Sequence, residues 1–203
     1  MSRFPGVVRE YGFSIVMAVI LALLIRSSLV MAYWVPSGSM LTTLEIGDRF
    51  MANKAAYDLR IPFSGRSLFR TGEVKRGDVV VFKPPFKAEH DFVKRVIGLP
   101  GDVILIRGKI VYLNGKPLDE PYVRHTDSVV QSARSGPRDN LGPLVVPRER
   151  FFVMGDNRDE SFDSRYWGFL PRNLIKAQAK LIYWSWDNDR FRIRWSHLGR
   201  FFD

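Results

Sequence analysis

The strongest constraint on this chain is how charge is placed near its beginning. Between residues 11 and 44 there are 34 residues and a single charged side chain, Arg26. The first part of that stretch, residues 11–25 (YGFSIVMAVILALLI), has 15 residues with neither charge nor proline. At about 1.5 Å per residue a helix there spans roughly 22 Å, short of a ~30 Å hydrocarbon core. Residues 4–10 and 26–28 make up the length, with Arg9 and Arg26 at the two interfaces, where long cationic side chains snorkel. The reading is one transmembrane helix over about residues 5–27. Arg3, Arg9 and the amino terminus bias the start of the chain to the cytoplasm and put everything after Ser28 across the membrane. Two alternatives stand beside this reading. A buried core helix would need a partner for Arg26 inside the protein. A cleavable signal peptide suits the length of the apolar run, with Val30-Met31-Ala32 as its cleavage site, but Arg26 falls where such segments are uncharged.

Beyond residue 45 the pattern is that of short strands. Residues 79–82, 92–97, 103–106, 110–113, 151–154 and 179–184 are rich in β-branched and aromatic side chains, and Gly-Asp, Pro-Gly-Asp and Asn-Gly turns separate them. Asn114-Gly115 after Ile110-Val-Tyr-Leu113 is a hairpin signal. One further helical turn is expected near residues 171–176. Between Asp119 and Pro147 the chain turns polar and rich in Gly, Pro, Ser and Arg, as expected of a long loop or an inserted lobe. The fold class is mainly β: a tail and membrane anchor over 1–28, then a β-rich domain over 29–203 with 114–147 as the inserted lobe or loop.

Composition narrows the chemistry. With no cysteine, disulfides, thiolate metal sites and cysteine nucleophiles are excluded. Three scattered histidines, His90, His125 and His197, leave few ligands for a catalytic metal. The formal charge of +10 permits an anionic membrane or nucleic acid as partner without choosing between them.

Three segments concentrate small polar and charged groups. In Pro36-Ser-Gly-Ser-Met-Leu-Thr-Thr-Leu44, Gly38 allows a sharp bend that presents the Ser39 hydroxyl and an N–H to one point; the plain alternative is a turn into a strand. In Phe92-Val-Lys-Arg-Val-Ile-Gly-Leu-Pro-Gly-Asp102, Lys94 and Arg95 must leave opposite faces of one strand, so one of them points to the apolar side. A buried lysine tends to lose its proton and become a general base, whereas one at a sheet edge stays solvated. The third segment, Gly155-Asp-Asn-Arg-Asp-Glu-Ser-Phe-Asp-Ser-Arg-Tyr-Trp-Gly168, has the carboxylate density of a cation loop in Asp156, Asn157 and Asp159. Arg158 and Arg165 lie inside it and the bidentate glutamate is missing, so a loop braced by Asp–Arg pairs is the better reading.

Together, in this order behind an apolar helix, the segments resemble the signature boxes of the bacterial type I signal peptidases (leader peptidases), membrane-bound serine proteases with a Ser–Lys dyad. Ser37-Gly-Ser-Met40, Lys94-Arg-x-x-Gly-x-Pro-Gly-Asp102 and Gly155-Asp-Asn-Arg-x-x-Ser-x-Asp-Ser-Arg-x-Trp-Gly168 carry the resemblance, and Gly47-Asp48 with Lys54 and Tyr57 matches a weaker fourth box. The resemblance implies Ser39 as nucleophile and Lys94 as general base. It makes Ser161 the residue that orients the base, the Ser37 hydroxyl and Ser39 N–H the oxyanion hole, and Asp163 with Arg165 the structural support. It also implies a β-rich core with a smaller inserted β lobe, cleavage of secretory precursors after a small-x-small (Ala-x-Ala) motif, and neither metal nor cofactor. The expected partners are signal peptides of preproteins and membrane lipid, not nucleic acid, at a bacterial plasma membrane crossed once, with the domain on the outer or periplasmic face. Tyr33, Trp34, Trp184, Trp186 and Trp195 would form an interfacial apron, or else serve as core aromatics. One departure is Thr42 where the family box carries proline; it frees φ and adds an N–H. A specialised processing protease of pilin type and a non-catalytic basic membrane adaptor are the competing functions.

Overall fold

The computed structural model describes residues 4–61, 67–87 and 89–202. Helix α1, Phe4–Ser28, has 25 residues, of which the side chains of 11–23 are described; these are uncharged and, apart from Ser14, largely apolar, and almost all are exposed. Among the described residues no helix is long and apolar enough to cross a membrane. The side chains expected to complete the span over 5–27, those of residues 5–10 and 24–27, lie outside the described ones. The interface roles expected of Arg9 and Arg26, and the orienting bias expected of Arg3 and Arg9, lie outside the described residues and side chains.

After Leu29 the chain enters β1 (Val30–Trp34) and, past a loop, β2 (Asp48–Asn53). There follow β3 (Asp58–Arg60), β4 (Ser67–Arg70), β5 (Val79–Phe82), β6 (Phe92–Gly98), β7 (Val103–Arg107), β8 (Ile110–Leu113) and β9 (Lys116–Pro117). Then come β10 (Leu141–Val145), β11 (Arg150–Met154), the short helix α2 (Ser164–Trp167), β12 (Leu170–Pro171), β13 (Ile175–Asp187) and β14 (Arg192–Ile193). The main sheet runs β1-β2-β13-β5-β6-β11-β12, with β14 added to β13; a second runs β10-β7-β8-β9, and β3 pairs with β4.

Strand β5 shows why the centre of the main sheet is where it is. All four of its residues are buried, because both faces of the sheet are covered. Val79 and Val81 join Phe50, Ala177, Ile182 and Phe202 on one face, and Val80 and Phe82 join Phe151, Val153 and Leu170 on the other. A third cluster, including Ile97, Phe152, Ile104 and Val111, fuses the two sheets. Asn114 and Gly115, with φ of 51° and 83°, form the expected two-residue turn between β8 and β9.

The strand count exceeds what the sequence suggested. Strand β13 is 13 residues rather than the expected 179–184. The alternation of buried Ile175, Ala177 and Ala179 with Lys176, Gln178 and Lys180 was available in the sequence but hidden by the small alanines. Strand β1 pairs with β2 along its whole length, from Val30↔Asn53 to Trp34↔Arg49. Cleavage after Ala32 would remove most of an edge strand, which weighs against a cleavable signal segment. The helical turn near 171–176 is a 3₁₀ turn at Arg172–Leu174.

Candidate active site

The first polar segment leaves the sheet and returns to it at one point. The Val35 N–H donates to Asp48 O at 3.0 Å and the Gly47 N–H to Val35 O at 3.1 Å, closing the neck of a loop over 36–46. Inside it Gly38–Met40 forms a 3₁₀ turn, and Met40 and Leu44 plug the loop into the core. Ser39 is therefore held, half-buried, between two apolar anchors, while Ser37 stays exposed.

Strand β6 brings the second segment against this loop. Lys94 and Arg95 leave opposite faces as expected, but both are buried, at 4% and 3% exposure. Lys94 Nζ donates to Ser39 Oγ at 2.7 Å, across 55 positions of sequence, and lies 5.6 Å from the centre of the Phe92 ring. Burial lowers the Lys94 pKa to about 8 against the pull of Asp163 and Asp156, with Arg165 assisting. Arg95 forks onto Asp156 at 2.9 and 2.8 Å, donates to Gly77 O at 2.9 Å and stacks over Tyr122. Asp156 also accepts from the Thr43 hydroxyl at 2.6 Å, so Arg95 and Asp156 tie the nucleophile loop to β6 and β11. The sequence reading missed this brace, although both residues sit inside the quoted boxes.

The third segment wraps beneath Ser39. Asn157 donates from its backbone to Ser39 O at 3.2 Å and from its side chain to Gly38 O at 3.1 Å. Gly155 is glycine by necessity, because a Cβ there would collide with Ser39 O and Ser161 Oγ. Asp163 accepts from the Gly155 N–H at 3.0 Å and from two guanidinium nitrogens of Arg165. Burial pushes the Asp163 carboxyl up, but Arg165 and the Gly155 N–H outweigh it and hold the group below the usual carboxylate range. Arg165 reaches on to Arg158 O at 2.6 Å and Arg138 O at 2.9 Å. Asp159 is taken by Lys109 at 2.8 Å and by the backbone N–H groups of Thr126 and Asp127. The carboxylates that resembled cation ligands thus serve protein donors, and among the described residues no cluster of three or more acidic or histidine side chains could hold a metal. Ser161 is buried near Asp163 with no hydrogen-bond partner for its hydroxyl.

A cavity of about 320 Å³ opens over the pair, lined by Ser37, Ser39, Lys94, Tyr33, Phe92 and Leu44 among others. His90 is on its wall, whereas His125 lies by Asp159 and His197 by Asp48, away from Ser39. Thr42 is exposed, and buried Thr43 and Leu44 beside it hold the loop.

Comparison with known proteins places the chain in a family. The model of "Signal peptidase, peptidase S26" matches residues 8–184. The chain is 41% identical over 180 residues to a probable signal peptidase I-2 of Synechocystis sp., covering 86% of this chain and 72% of that one. It is 36% identical over 182 residues to signal peptidase I P of Bacillus subtilis subsp. natto, covering 89% and 91%. A crystal structure of a signal peptidase I from Enterococcus faecalis is 30% identical and overlaps 52% of this chain and 96% of that one, with a TM-score of 0.41. With a family model spanning most of its length and relatives matched over more than four-fifths of it, the chain belongs to the signal peptidase family, peptidase S26.

Proposed function

We propose that Ser39 and Lys94 carry out the peptide-bond hydrolysis by which this signal peptidase, a serine endopeptidase, removes signal peptides from secretory precursors. The observation that carries the assignment is the 2.7 Å contact between Lys94 Nζ and Ser39 Oγ inside an apolar cavity. Neutral Lys94 takes the Ser39 proton as Oγ attacks the scissile carbonyl. The Ser39 N–H and the Ser37 hydroxyl receive the developing oxyanion. The lysinium then protonates the leaving amine, and Lys94 activates the water that hydrolyses the ester. The buried Ser161 hydroxyl, which has no partner at rest, accepts from Lys94 during the reaction and so orients the base, and Asp163 with Arg165 supports the loop. No metal or cofactor is required, and the substrate is cut after a small-x-small (Ala-x-Ala) motif. In a preprotein assay with the cut mapped by mass spectrometry, Ser39→Ala and Lys94→Ala should each abolish cleavage, with the double variant hardly worse than either. Activity within tenfold of wild type in either single variant removes that residue from the mechanism.

The same reading gives the chain three parts: a tail and membrane anchor over 1–28, a catalytic domain over 29–203, and within it a lobe over 114–147. Helix α1 leads into β1 through Leu29 alone, so the anchor holds the sheet at the bilayer surface. Register puts Trp34, Arg49 and Trp184 side by side on one outer face, all exposed, which supports membrane lipid rather than nucleic acid as the partner. Trp195 is also exposed, while Tyr33 stacks on core Phe50 and leaves the proposed apron. The protein would cross the bacterial plasma membrane once, its domain on the outer or periplasmic face. Protease added to spheroplasts should digest the domain and spare α1; a mature amino terminus at Tyr33 refutes the anchor.

A further inference from the structure

The family match ends at residue 184, yet the chain continues and folds back on the main sheet. Gly199 and Phe202 donate to Ile182 O and Lys180 O at 2.9 and 3.1 Å, and Phe202 packs edge-on against Phe50 in the core. Between those anchors and β14, the segment turns two side chains onto the neck of the nucleophile loop. Arg194 lies 3.1 Å from Glu45 through Nε, and its NH1 donates to Ile46 O and Trp186 O, each at 3.0 Å. His197 Nδ1 lies 3.2 Å from Asp48 Oδ2, and its Nε2 lies 3.8 Å from Glu45. Asp48 is wholly buried; it receives the Ser185 hydroxyl and, at 2.8 Å, the Glu45 N–H. Gly47 passes so close to Trp186 O that a Cβ would collide with it.

The loop that carries Ser39 is thus held in two places. On one side Asp156 and Asn157 hold Thr43, Gly38 and Ser39. On the other, the end of the chain holds Glu45, Ile46 and Asp48, the residues through which the loop rejoins β2. Lys94 belongs to β6, outside the neck, so a shift of the neck that the Asp156 and Asn157 bonds do not absorb changes the Ser39–Lys94 distance. Misplacing a catalytic group by about 1 Å can cost on the order of 10²-fold in rate.

We propose that Arg194 and His197 are positioning residues: the C-terminal segment clamps the neck of the nucleophile loop and thereby sets the Ser39–Lys94 geometry. The inference rests on Ser39 being the nucleophile. It makes the end of the chain part of the catalytic apparatus without touching substrate.

The test is preprotein cleavage by the detergent-solubilised full chain, well below its melting temperature, for Arg194→Gln, Glu45→Gln and the double variant. Each single variant should lose about tenfold in kcat with KM within twofold of wild type, and the double variant should be no worse than Arg194→Gln, because the two act as one clamp. A fall in melting temperature with kcat within twofold of wild type overturns the inference and leaves the segment merely structural; so does additive loss in the double variant. Should Arg194→Gln fail to fold, His197→Asn carries the test, with an expected threefold to tenfold loss in kcat at unchanged KM. Ser39→Ala assayed alongside separates the two readings, since its activity would refute the nucleophile itself, whereas a failed clamp leaves it inactive.

Discussion

The buried lysine ties activity to instability, and both effects are measurable on one variant. With a folded pKa of about 8, against ~10.4 for an ordinary lysine, roughly one Lys94 in five is neutral at pH 7.4 instead of one in a thousand. The same shift has an opposite consequence for folding. Below pH 8 both folded and unfolded chains hold the proton, and the fold bears the full penalty of a buried cation, about 3 kcal/mol at 1.36 kcal/mol per pH unit. Between pH 8 and ~10.4 the unfolded chain binds more protons, so stability rises with pH, and above ~10.4 the penalty is gone. Lys94→Met keeps much of the volume and removes the charge, at the expense of the hydrogen bond to Ser39, worth about 1 kcal/mol. The variant should be inactive yet about 2 kcal/mol more stable near pH 7, a melting temperature roughly 4–8 °C higher for a chain of this size. By pH 10.5 the advantage should vanish or reverse. For wild type, kcat/KM should rise tenfold per pH unit and level off near pH 8, with the profile unchanged when His90, His125 and His197 are all glutamine. A melting temperature for Lys94→Met below wild type at pH 6.5, or a difference that does not depend on pH, refutes the reasoning. An inflection at or below 6.5 that disappears in the triple variant refutes the lysine base itself.

Gly155→Ala should lower kcat by at least 100-fold with the fold retained, because the new methyl group displaces Ser39 and Ser161 together; circular dichroism beside the cleavage assay checks it. Asp163→Asn leaves the Arg165 charge buried and unpaired, so a loss of about 3–5 kcal/mol is expected in denaturant titration. In the folded fraction the pH–rate inflection should move down, because the Asp163 charge holds the Lys94 pKa up. Ser161→Ala should lower kcat by roughly 10²–10³ if the hydroxyl orients Lys94. Its melting temperature should not fall, since the hydroxyl it removes is buried without a partner.

What the sequence showed and what it hid divide along a physical line. Strands with β-branched runs on buried faces, such as Val79–Phe82, were legible from composition, and the Asn114-Gly115 turn from the φ > 0 preference of its residues. The Ser39–Lys94 contact was legible only through resemblance, since 55 positions separate the two and no local periodicity reports on them. Arg95 and Asp156, 61 positions apart, escaped for a related reason. Alternation correctly set Arg95 on the face opposite Lys94, but nothing local shows that this face is covered too. The C-terminal segment was opaque in the same way: its tryptophans read equally as an interfacial apron or as core aromatics, while Arg194 and His197 take their meaning from a loop about 150 residues away.

The site is best understood through which of its buried charges are paired. Arg95 with Asp156, Arg165 with Asp163 and Arg158 with Glu120 are ion pairs of nearly complete burial, each bonded further to backbone or hydroxyl groups. Pairs of that kind are poor sources of stability but severe penalties when broken, so they fix a single arrangement of the segments that bear them. Lys94 lies among them with no carboxylate at ion-pair distance among the described residues; its one hydrogen bond goes to Ser39. Had Asp163 faced it directly, the ammonium would be stabilised and its pKa carried up toward or beyond the ordinary value, and the base would be lost at neutral pH. By giving Asp163 to Arg165 instead, the fold keeps that carboxylate's charge balanced close at hand and leaves the lysine in apolar surroundings. The paired charges make the frame rigid, and the lysine left without a carboxylate partner holds its proton weakly enough to exchange it with a serine.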